Sequence, residues 1–279
     1  MTHTITQTDI DGSCLSLRSD ERAAGTVAKY RRDLAAFAGW LDGAAVTKEN
    51  AALWKAHLLE RGYKPTSINA MLSAINGFFQ FVGWNIKVKF LKIQRQLFRD
   101  PARELSRHEY DRLLAAARET GQERLALIME TLCATGIRIS ELRYITVEAV
   151  RAGRATIALK GKIRTILLPT KLCRKLMKYA KKQKTASGAV FRTKSGKSIS
   201  RRQVWYELKR LCRAAGVEPS KVFPHNLRRL FAVTFYKASR DIARLADVLG
   251  HSSIETTRIY LTVSGAEQAR QLDRLGLVS

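Results

Sequence analysis

The chain has 279 residues, 46% of them hydrophobic, which is enough to bury the core of one large domain or of two smaller ones. No run of about eighteen apolar residues occurs, which argues against a membrane-spanning helix, and the first residues lack the basic start and apolar segment of a secretory signal. The formal net charge is +26, and a surplus of this size repels itself unless the partner is a polyanion. The four cysteines are scattered and form no C-x-x-C pair, so we expect a cytoplasmic protein with reduced thiols.

The positive charge is concentrated in the later part of the chain. Residues 1–100 hold 14 basic and 9 acidic residues, whereas residues 101–279 hold 36 and 15. Nucleic acid is therefore the leading candidate partner. Charge alone does not choose it, because a ribosomal protein, a histone-like packaging protein or a solvated basic surface would have the same composition.

Three helical patterns occupy most of the first hundred residues. Residues 1–25 are polar and are predicted to be loose. The first pattern, TVAKYRRDLAAFAGWLDG, begins at Thr26, places its apolar residues on one face and ends at Gly43. The second has Thr47 as its N-cap and Gly62 as its stop, and the third is TSINAMLSAINGFFQFVGW. These patterns predict a small helical bundle.

A linker and a second, mixed region follow. The pair Asp100-Pro101 disfavours helix within a basic stretch, which indicates a linker. Ser106 and Glu109 then form a capping-box pattern, and the apolar helix ERLALIMETLCATG stops at Gly136. The sequence RATIALKGKIRTILLP alternates apolar residues on both sides of a basic turn, which is the pattern of a β-hairpin. Further helices are predicted around residues 170–183, 200–215, 227–238, 242–249 and 253–261.

Two short stretches of this second region hold candidate phosphate ligands. In ATGIRISEL, Arg138 follows the glycine that closes one helix and precedes a helix carrying Glu141, so its guanidinium can reach outward as a fork that suits a phosphate. In PHNLRRLF, His225 and Arg228 lie three residues apart at a helix start and share one face. An imidazole and a guanidinium on one face are able to bind and protonate a phosphate. Each stretch alone is equally well explained by solvated side chains.

A third stretch, LGHSSIETTRIYL, supplies a candidate nucleophile. Gly250 ends a helix, His251 lies in the turn, and Ser252 with Glu255 forms a capping-box pattern. Tyr260 is predicted about two turns along the new helix. By itself, this residue reads more simply as a core tyrosine than as a group that attacks a substrate.

In this order, the motifs G-I-R-I-S-E-L, H-x-L-R and L-G-H-S-S-I-x-T-T-x-x-Y resemble those of the tyrosine recombinases, the phage integrase and Xer family. The likeness extends to TVAKYRRDLAAFAGW and LSRHEYDRLL and covers nearly the whole chain. It implies a mostly α fold with a small β-hairpin, arranged as a two-domain clamp. A helical SAM-like core-binding domain would cover residues 1–100, and an α+β catalytic domain would cover residues 101–279.

The resemblance also implies a chemistry. Tyr260 would attack a scissile phosphodiester and form a 3′-phosphotyrosine with a free 5′-hydroxyl. Arg138 and Arg228 would hold the non-bridging oxygens, His225 would act as acid–base partner of the tyrosine, and His251 would hydrogen-bond the phosphate. No metal or other cofactor is expected, because positive side chains take its place.

The hairpin turn would supply the acid that protonates the leaving 5′-oxygen. The family pattern is G-K-G-x-K-x-R, and the turn here is compressed to LKGKIR, so either Lys160 or Lys162 fits. We select Lys160, because it is predicted to end the first strand. Glu141 would orient a neighbouring arginine or histidine. Arg229 stands where many members carry a second histidine, and we expect it to change a supporting contact.

The resulting prediction is a site-specific recombinase or integrase that acts on double-stranded DNA with specific sites. It would be a monomer free in solution and a homotetramer at synapsis, where the tail docks on a neighbouring protomer through Leu272 and Leu275 or folds on its own domain. Three alternatives remain: a type IB topoisomerase-like enzyme, a catalytically silent DNA-binding protein on the same fold, and a basic RNA-packaging protein.

Overall fold

The computed structural model shows a mostly helical chain with one two-stranded antiparallel sheet. Within the parts of the chain described here, no helix is both long enough and apolar enough to cross a membrane. The chain divides into two compact units, an N-terminal unit of residues 1–95 and a C-terminal unit of residues 96–279. The structure describes residues 3–93, 100–159, 162–193, 195–262 and 265–276.

The N-terminal unit is a bundle whose helices bury one apolar stripe each. At its centre, the ring centroid of Phe37 lies 5.8 Å from that of Trp54 and 6.1 Å from that of Phe79. All three side chains are buried, so the bundle has a well-packed aromatic core. Its helices are α1 (Gln7–Ser19), α2 (Ala24–Leu41), α3 (Lys48–Glu60) and α4 (Pro65–Phe81).

The prediction that residues 1–25 are loose is wrong, because α1 lies within them. The hydroxyl of Thr6 accepts from the backbone N–H of Asp9, and the Asp9 carboxylate accepts from the backbone N–H of Thr6 at 3.0 Å. This capping box starts the helix. Ile10 and Cys14, one turn apart, are then buried in the core of the unit. The segment is mostly polar, and its apolar stripe is too narrow for the composition to indicate a helix.

Two asparagines of α4 hold the chain that leaves the bundle. The amide of Asn76 both donates to the carbonyl of Val88 at 3.0 Å and accepts from its N–H at 2.9 Å. Asn69 binds the backbone of Leu91 in the same way, at 2.9 and 2.8 Å. Two side chains on one helix face therefore replace the strand partner that this extended segment lacks.

The C-terminal unit surrounds the apolar helix that the sequence predicted before Gly136. Ile128, Met129 and Leu132 of this helix are fully buried. The predicted hairpin forms, with Arg154 paired with Leu167 at one end and Leu159 paired with Lys162 at the other. Its elements are α5 (Arg107–Glu119), α6 (Glu123–Thr135), α7 (Val147–Arg151), β1 (Arg154–Leu159), β2 (Lys162–Leu167), α8 (Thr170–Lys182), α9 (Arg201–Ala215), α10 (Pro224–Ser239), α11 (Ile242–Leu249), α12 (Ile254–Arg258) and α13 (Gly265–Asp273).

The two capping boxes predicted for this unit have different outcomes. Ser106 caps α5 by accepting from the N–H of Glu109, whose carboxylate accepts from the N–H of Ser106 at 2.8 Å, so this prediction is confirmed. The prediction for Ser252 is wrong. Ser253 is the N-cap of α12, and its hydroxyl accepts from the N–H of Glu255 at 3.2 Å. The sequence SS offered two serines, and the turn after α11 selects the second.

Candidate active site

The end of α6 positions the first arginine. Gly136 closes the helix with a left-handed φ of +63°, and a Cβ there would fall 2.3 Å from the ring of Phe231, so only glycine fits. The chain then enters a short 3₁₀ helix, Ile139–Tyr144, at Arg138. The backbone N–H of Arg138 donates to the carboxylate of Glu141 at 2.7 Å. This contact fixes the turn and leaves the Arg138 side chain 43% exposed.

The start of α10 positions the second arginine. Pro224 is the first helical residue, where its missing N–H costs nothing. His225 follows, and Arg228 lies one turn later, so the two predicted site residues share a face. Arg228 is only 2% exposed and points into the unit.

The buried Arg228 guanidinium joins three separate parts of the chain. It donates to the carbonyl of Gly136 at the end of α6, to the carbonyl of Leu249 at 2.8 Å, and to Nε2 of His251 at 2.9 Å. Burial lowers its pKa and so does Arg138, whereas Tyr260 raises it through charge and a hydrogen bond. These hydrogen-bond partners carry no formal negative charge, so the guanidinium keeps its positive charge available for an anion.

The contacts of His251 define its tautomer. An arginine only donates, so Nε2 of His251 is the acceptor in the bond from Arg228. The proton is therefore on Nδ1, which donates to the hydroxyl of the fully buried Thr257 at 2.8 Å. Burial lowers the pKa of His251 to about 4, and the charges of Arg228 and Arg138 contribute. The imidazole is neutral near pH 7.

Tyr260 lies between the two histidines. It belongs to the 3₁₀ turn Ile259–Leu261 after α12 and is 5% exposed. Its ring centroid lies 5.3 Å from that of His225 and 5.7 Å from that of His251, and the second pair is stacked with only 12° between the planes. Burial lowers the pKa of His225, as do the charges of Arg228 and other nearby arginines.

Glu141 is the carboxylate at the edge of this group. It is 1% exposed, and its Oε1 accepts from the Arg138 guanidinium at 3.2 Å. Its Oε2 accepts from the Arg164 guanidinium at 2.7 Å. Glu141, which the sequence predicts to orient a neighbouring arginine or histidine, contacts two arginines, Arg138 and Arg164.

Sequence reasoning missed Arg164, whose inward position on β2 is visible only in the structure. Ile163 and Leu167 on β2 are exposed by 76% and 77%, whereas Ile166 is buried. Strand side chains alternate between faces, so Arg164 belongs to the inward face with Ile166. A charged residue on the inward face of a strand needs a buried partner. Thr257, the partner of the His251 imidazole, was also missed.

The structure brings five of the six predicted catalytic residues into one cluster, which we call the active-site cluster. The predicted lysine cannot be added to it. Lys160 lies outside the described residues, as does the side chain of the alternative, Lys162, which begins β2. No group of three or more histidine, cysteine or acidic side chains able to hold a metal ion occurs in the described ranges. The cluster consists of Arg138, His225, Arg228, His251 and Tyr260, with Glu141 and Arg164 beside it.

Arg229, next to Arg228 on α10, has an acidic partner. It forms an ion pair with Glu104 at 2.6 Å, and both side chains are less than one-fifth exposed. The neighbouring Asn226 donates to the carbonyl of Arg103 at 2.7 Å. Both contacts attach α10 to the segment that precedes α5.

A basic and aromatic surface lies on α9. Trp205 and Tyr206 are 48% and 57% exposed, which is unusual for such large rings on a single helix. The ammonium of Lys209 lies 5.4 Å from the Trp205 ring centroid, and the guanidinium of Arg210 lies 5.9 Å from that of Tyr206. Cations paired with exposed rings suit both the phosphates and the bases of a nucleic acid.

Family models and known relatives match almost the whole chain. Residues 103–267 match the model of the phage integrase family, and residues 15–85 match that of the phage integrase N-terminal SAM-like domain. The chain is 30% identical over 263 residues to the tyrosine recombinase XerA of Thermococcus kodakarensis, covering 90% of this chain and 91% of that protein. It is 29% identical to the tyrosine recombinase XerD of Pseudomonas putida over 86% of this chain and 87% of that protein.

The fold has a solved counterpart as well. A lambda integrase tetramer bound to a Holliday junction superimposes with a TM-score of 0.73 at 19% identity, covering 92% of this chain and 77% of that one. At this level of identity, the likeness concerns the fold.

Proposed function

This chain belongs to the phage integrase family of tyrosine recombinases, and we propose that it cuts and rejoins duplex DNA at specific sites through a covalent bond to Tyr260. The observation that carries this proposal is the environment of that tyrosine. Its ring lies between His225 and His251, beside a buried Arg228 whose hydrogen-bond partners carry no formal negative charge. Such a site binds an anion next to a nucleophile.

In the proposed step, the Tyr260 oxygen attacks the scissile phosphorus and forms a 3′-phosphotyrosine. The bond from phosphorus to the 5′-oxygen breaks, and the DNA strand leaves with a 5′-hydroxyl. His225 takes the tyrosine proton. Its lowered pKa keeps it neutral near pH 7, which a proton acceptor requires. A lysine of the hairpin turn, Lys160 in our assignment and Lys162 in the alternative, gives a proton to the leaving oxygen.

The two arginines stabilise the negative charge that develops around the phosphorus centre. Arg228 is held by the carbonyls of Gly136 and Leu249 and by His251. Arg138 is held by Glu141 with its side chain partly open to solvent. Fixed cations aimed at the non-bridging oxygens stabilise the transition state without reorganising. His251 joins them once DNA binds. Burial and the nearby arginines lower its pKa, and the phosphate charge acts against this, so that Nε2 takes up a proton and donates to the phosphate.

We propose that residues 1–100 form the core-binding domain and residues 101–279 the catalytic domain. The charge of the second part and the exposed rings of α9 support DNA as its partner. We further propose a monomer in solution and a tetramer at synapsis, because exchange of two duplexes needs four cleavages. The lambda integrase of similar fold is a tetramer on a Holliday junction. The exposed Leu272 and Leu275 support docking of the tail on a neighbouring protomer. A cytoplasmic location remains part of the proposal.

The alternatives predicted from the sequence are less well supported. A type IB topoisomerase-like enzyme would relax supercoiled DNA as a monomer without paired sites, whereas the relatives that match over nine-tenths of the chain are recombinases. A silent DNA-binding protein would not need Tyr260 beside a proton acceptor. An RNA-packaging protein would account for the charge and for none of the site contacts.

The test is to trap the covalent complex on a nicked suicide substrate. This substrate loses a short fragment after cleavage, so religation stops and the adduct accumulates. Candidate sites are selected from random duplexes by binding to the protein. Peptide mapping of the denaturant-resistant adduct should place the nucleotide on Tyr260. Attachment at a different residue, or cleavage without any covalent adduct, would refute the mechanism.

A further inference from the structure

We infer that Arg164 is a positioning residue that holds Arg138 in place through the buried carboxylate of Glu141. The inference rests on the proposed function, since it concerns the same reaction. Arg164 itself does not face a substrate phosphate in this role. It acts on a carboxylate that in turn holds the first arginine of the active-site cluster.

The geometry of Glu141 makes this carboxylate dependent on Arg164. The Oε2 atom receives two hydrogen bonds of 2.7 Å, one from the backbone N–H of Arg138 and one from Arg164. The bond from the Arg138 side chain to Oε1 is longer, at 3.2 Å, and that side chain is 43% exposed. The side chain of Arg164 is 16% exposed and that of Glu141 is 2% exposed. The more buried arginine therefore compensates most of the carboxylate charge and leaves Arg138 free to engage a phosphate.

A second anchor fixes Arg164 itself. Its Nη1 donates to the carbonyl of Val248 at 2.8 Å. Gly250, two residues further on, has a left-handed φ of +64°, and a Cβ there would lie 2.6–2.8 Å from three atoms of the Arg164 side chain. The guanidinium therefore lies directly against the turn that leads to His251. Arg164 therefore connects the hairpin both to Glu141, which contacts Arg138, and to the turn that leads to His251.

The two simultaneous hydrogen bonds of Arg164 require an arginine side chain. Its planar fork directs one N–H at Glu141 and another at Val248 at the same time. A lysine keeps the charge but offers a single compact donor group, so it satisfies one of these acceptors better than both. Methionine has similar length and neither charge nor donors. These two substitutions separate the loss of charge from the loss of the fork.

The experiment measures single-turnover cleavage of the nicked substrate at saturating protein, DNA affinity and thermal unfolding. For Arg164→Met we expect cleavage to fall roughly 100-fold while DNA affinity stays within about threefold. Arg164→Lys should fold normally and recover part of the rate. The matched control is Arg154→Met, which removes an exposed arginine from the other strand of the same hairpin and should cleave within about threefold of the wild type.

Two further measurements identify the path through Glu141. The double variant Arg164→Met, Glu141→Gln should be no slower than the slower single variant, because both changes interrupt one path. A bridging 5′-phosphorothiolate substrate, whose sulfur leaves without protonation, should not restore Arg164→Met, because the defect concerns the arginine and not the leaving-group acid.

Several outcomes would overturn the inference. The first is that Arg164→Met or Arg164→Lys cleaves as fast as the wild type. The second is that the double variant loses the product of the two single losses in cleavage rate. The third is that the sulfur substrate restores cleavage by Arg164→Met. The inference would also fail if Arg164→Met lost cleavage only because it unfolds while a folded Arg164→Lys showed no loss. Failure of the proposed function looks different, because the wild-type protein itself would then form no adduct at Tyr260.

Discussion

The two units bury charge in different ways. In the N-terminal unit, Asp33 is 3% exposed and pairs with Lys29, one turn away on the same helix, which also donates to the carbonyl of Ala70 at 3.1 Å. In the C-terminal unit, the equally buried Arg228 takes its partners from elements far apart in the chain. Glu141 binds both the nearby Arg138 and the distant Arg164. The first arrangement compensates a charge locally, and the second assembles a group of charges.

The local pair of Asp33 contributes to stability, whereas the charges around Arg228 form a functional site. A carboxylate paired with a lysine of its own helix is neutral as a pair and fixes how that helix packs. Arg228 is buried with carbonyl and imidazole partners, so its charge is solvated but not cancelled. Burying such a charge costs stability unless something offsets it. An anionic substrate offsets it, and this is the physical sense in which the C-terminal cluster is a site and the Asp33 pair is not.

The largest expected effect is that of Tyr260→Phe. The substitution removes one oxygen and keeps the ring between the two histidines, so DNA binding should persist while the covalent adduct disappears below detection. Denaturing gel electrophoresis after incubation with nicked substrate measures the adduct. An adduct of wild-type yield from the phenylalanine variant would show that Tyr260 is a core residue like those of the N-terminal unit.

Arg138→Ala and Arg228→Ala come next. Each should slow cleavage by roughly 100-fold or more, on the scale of a lost oxyanion donor, with a much smaller effect on DNA affinity. Only Arg228→Ala should also lower stability, because it leaves the carbonyls of Gly136 and Leu249 without this donor. A chelator should change neither rate. Cleavage within about threefold of wild type in both variants would remove the charge clamp from the mechanism.

The hairpin lysine can be assigned chemically. Lys160→Ala should be slow on ordinary DNA and recover on a bridging 5′-phosphorothiolate substrate, because a thiolate leaves without a proton. Lys162→Ala should mainly weaken binding and reduce its salt dependence, as loss of a phosphate contact does. The reverse pattern, with sulfur rescue of Lys162→Ala alone, would assign the acid to Lys162.

Asp33→Asn tests the other half of the comparison. It breaks the local pair with Lys29, and since the lysine is partly exposed, we expect the free energy of unfolding to drop by about 1–3 kcal/mol. Denaturant unfolding of the full chain measures this loss. Cleavage at a temperature where the variant is folded should be unchanged. A selective loss of cleavage in the folded variant would contradict a purely structural role for this pair.

The last prediction is a pH dependence of stability that arises from His251. Its pKa is about 4 in the folded chain and near 6.5 when unfolded, so only the unfolded state takes up a proton between these values. The free energy of unfolding should therefore fall as the pH drops from about 6.5 to about 4 and should not respond to this group above that window. His251→Asn should reduce this slope in urea unfolding series, and an unchanged slope would mean that the imidazole is not shielded as described.

Much of the fold was accessible from the sequence because its determinants are local. Ser106 and Glu109 form their capping box within one turn, and the hairpin follows from alternation across a short turn. The N-terminal helix α1 escaped prediction, because its capping box at Thr6 precedes a stripe of only a few apolar residues. The choice between Ser252 and Ser253 as cap also escaped, since it depends on how the chain leaves α11.

For the site, the sequence alone determined which residues are present and in what order, and the motifs were sufficient to nominate Tyr260 and its partners. Only the tertiary structure decided how they contact one another. Arg164 takes its partners from 23 and 84 positions away, and Arg228 reaches a carbonyl 92 positions away. The tautomer of His251 likewise follows from bonds to Arg228 and Thr257. Hydrogen bonds have directions that local patterns do not encode, because they depend on how distant elements pack.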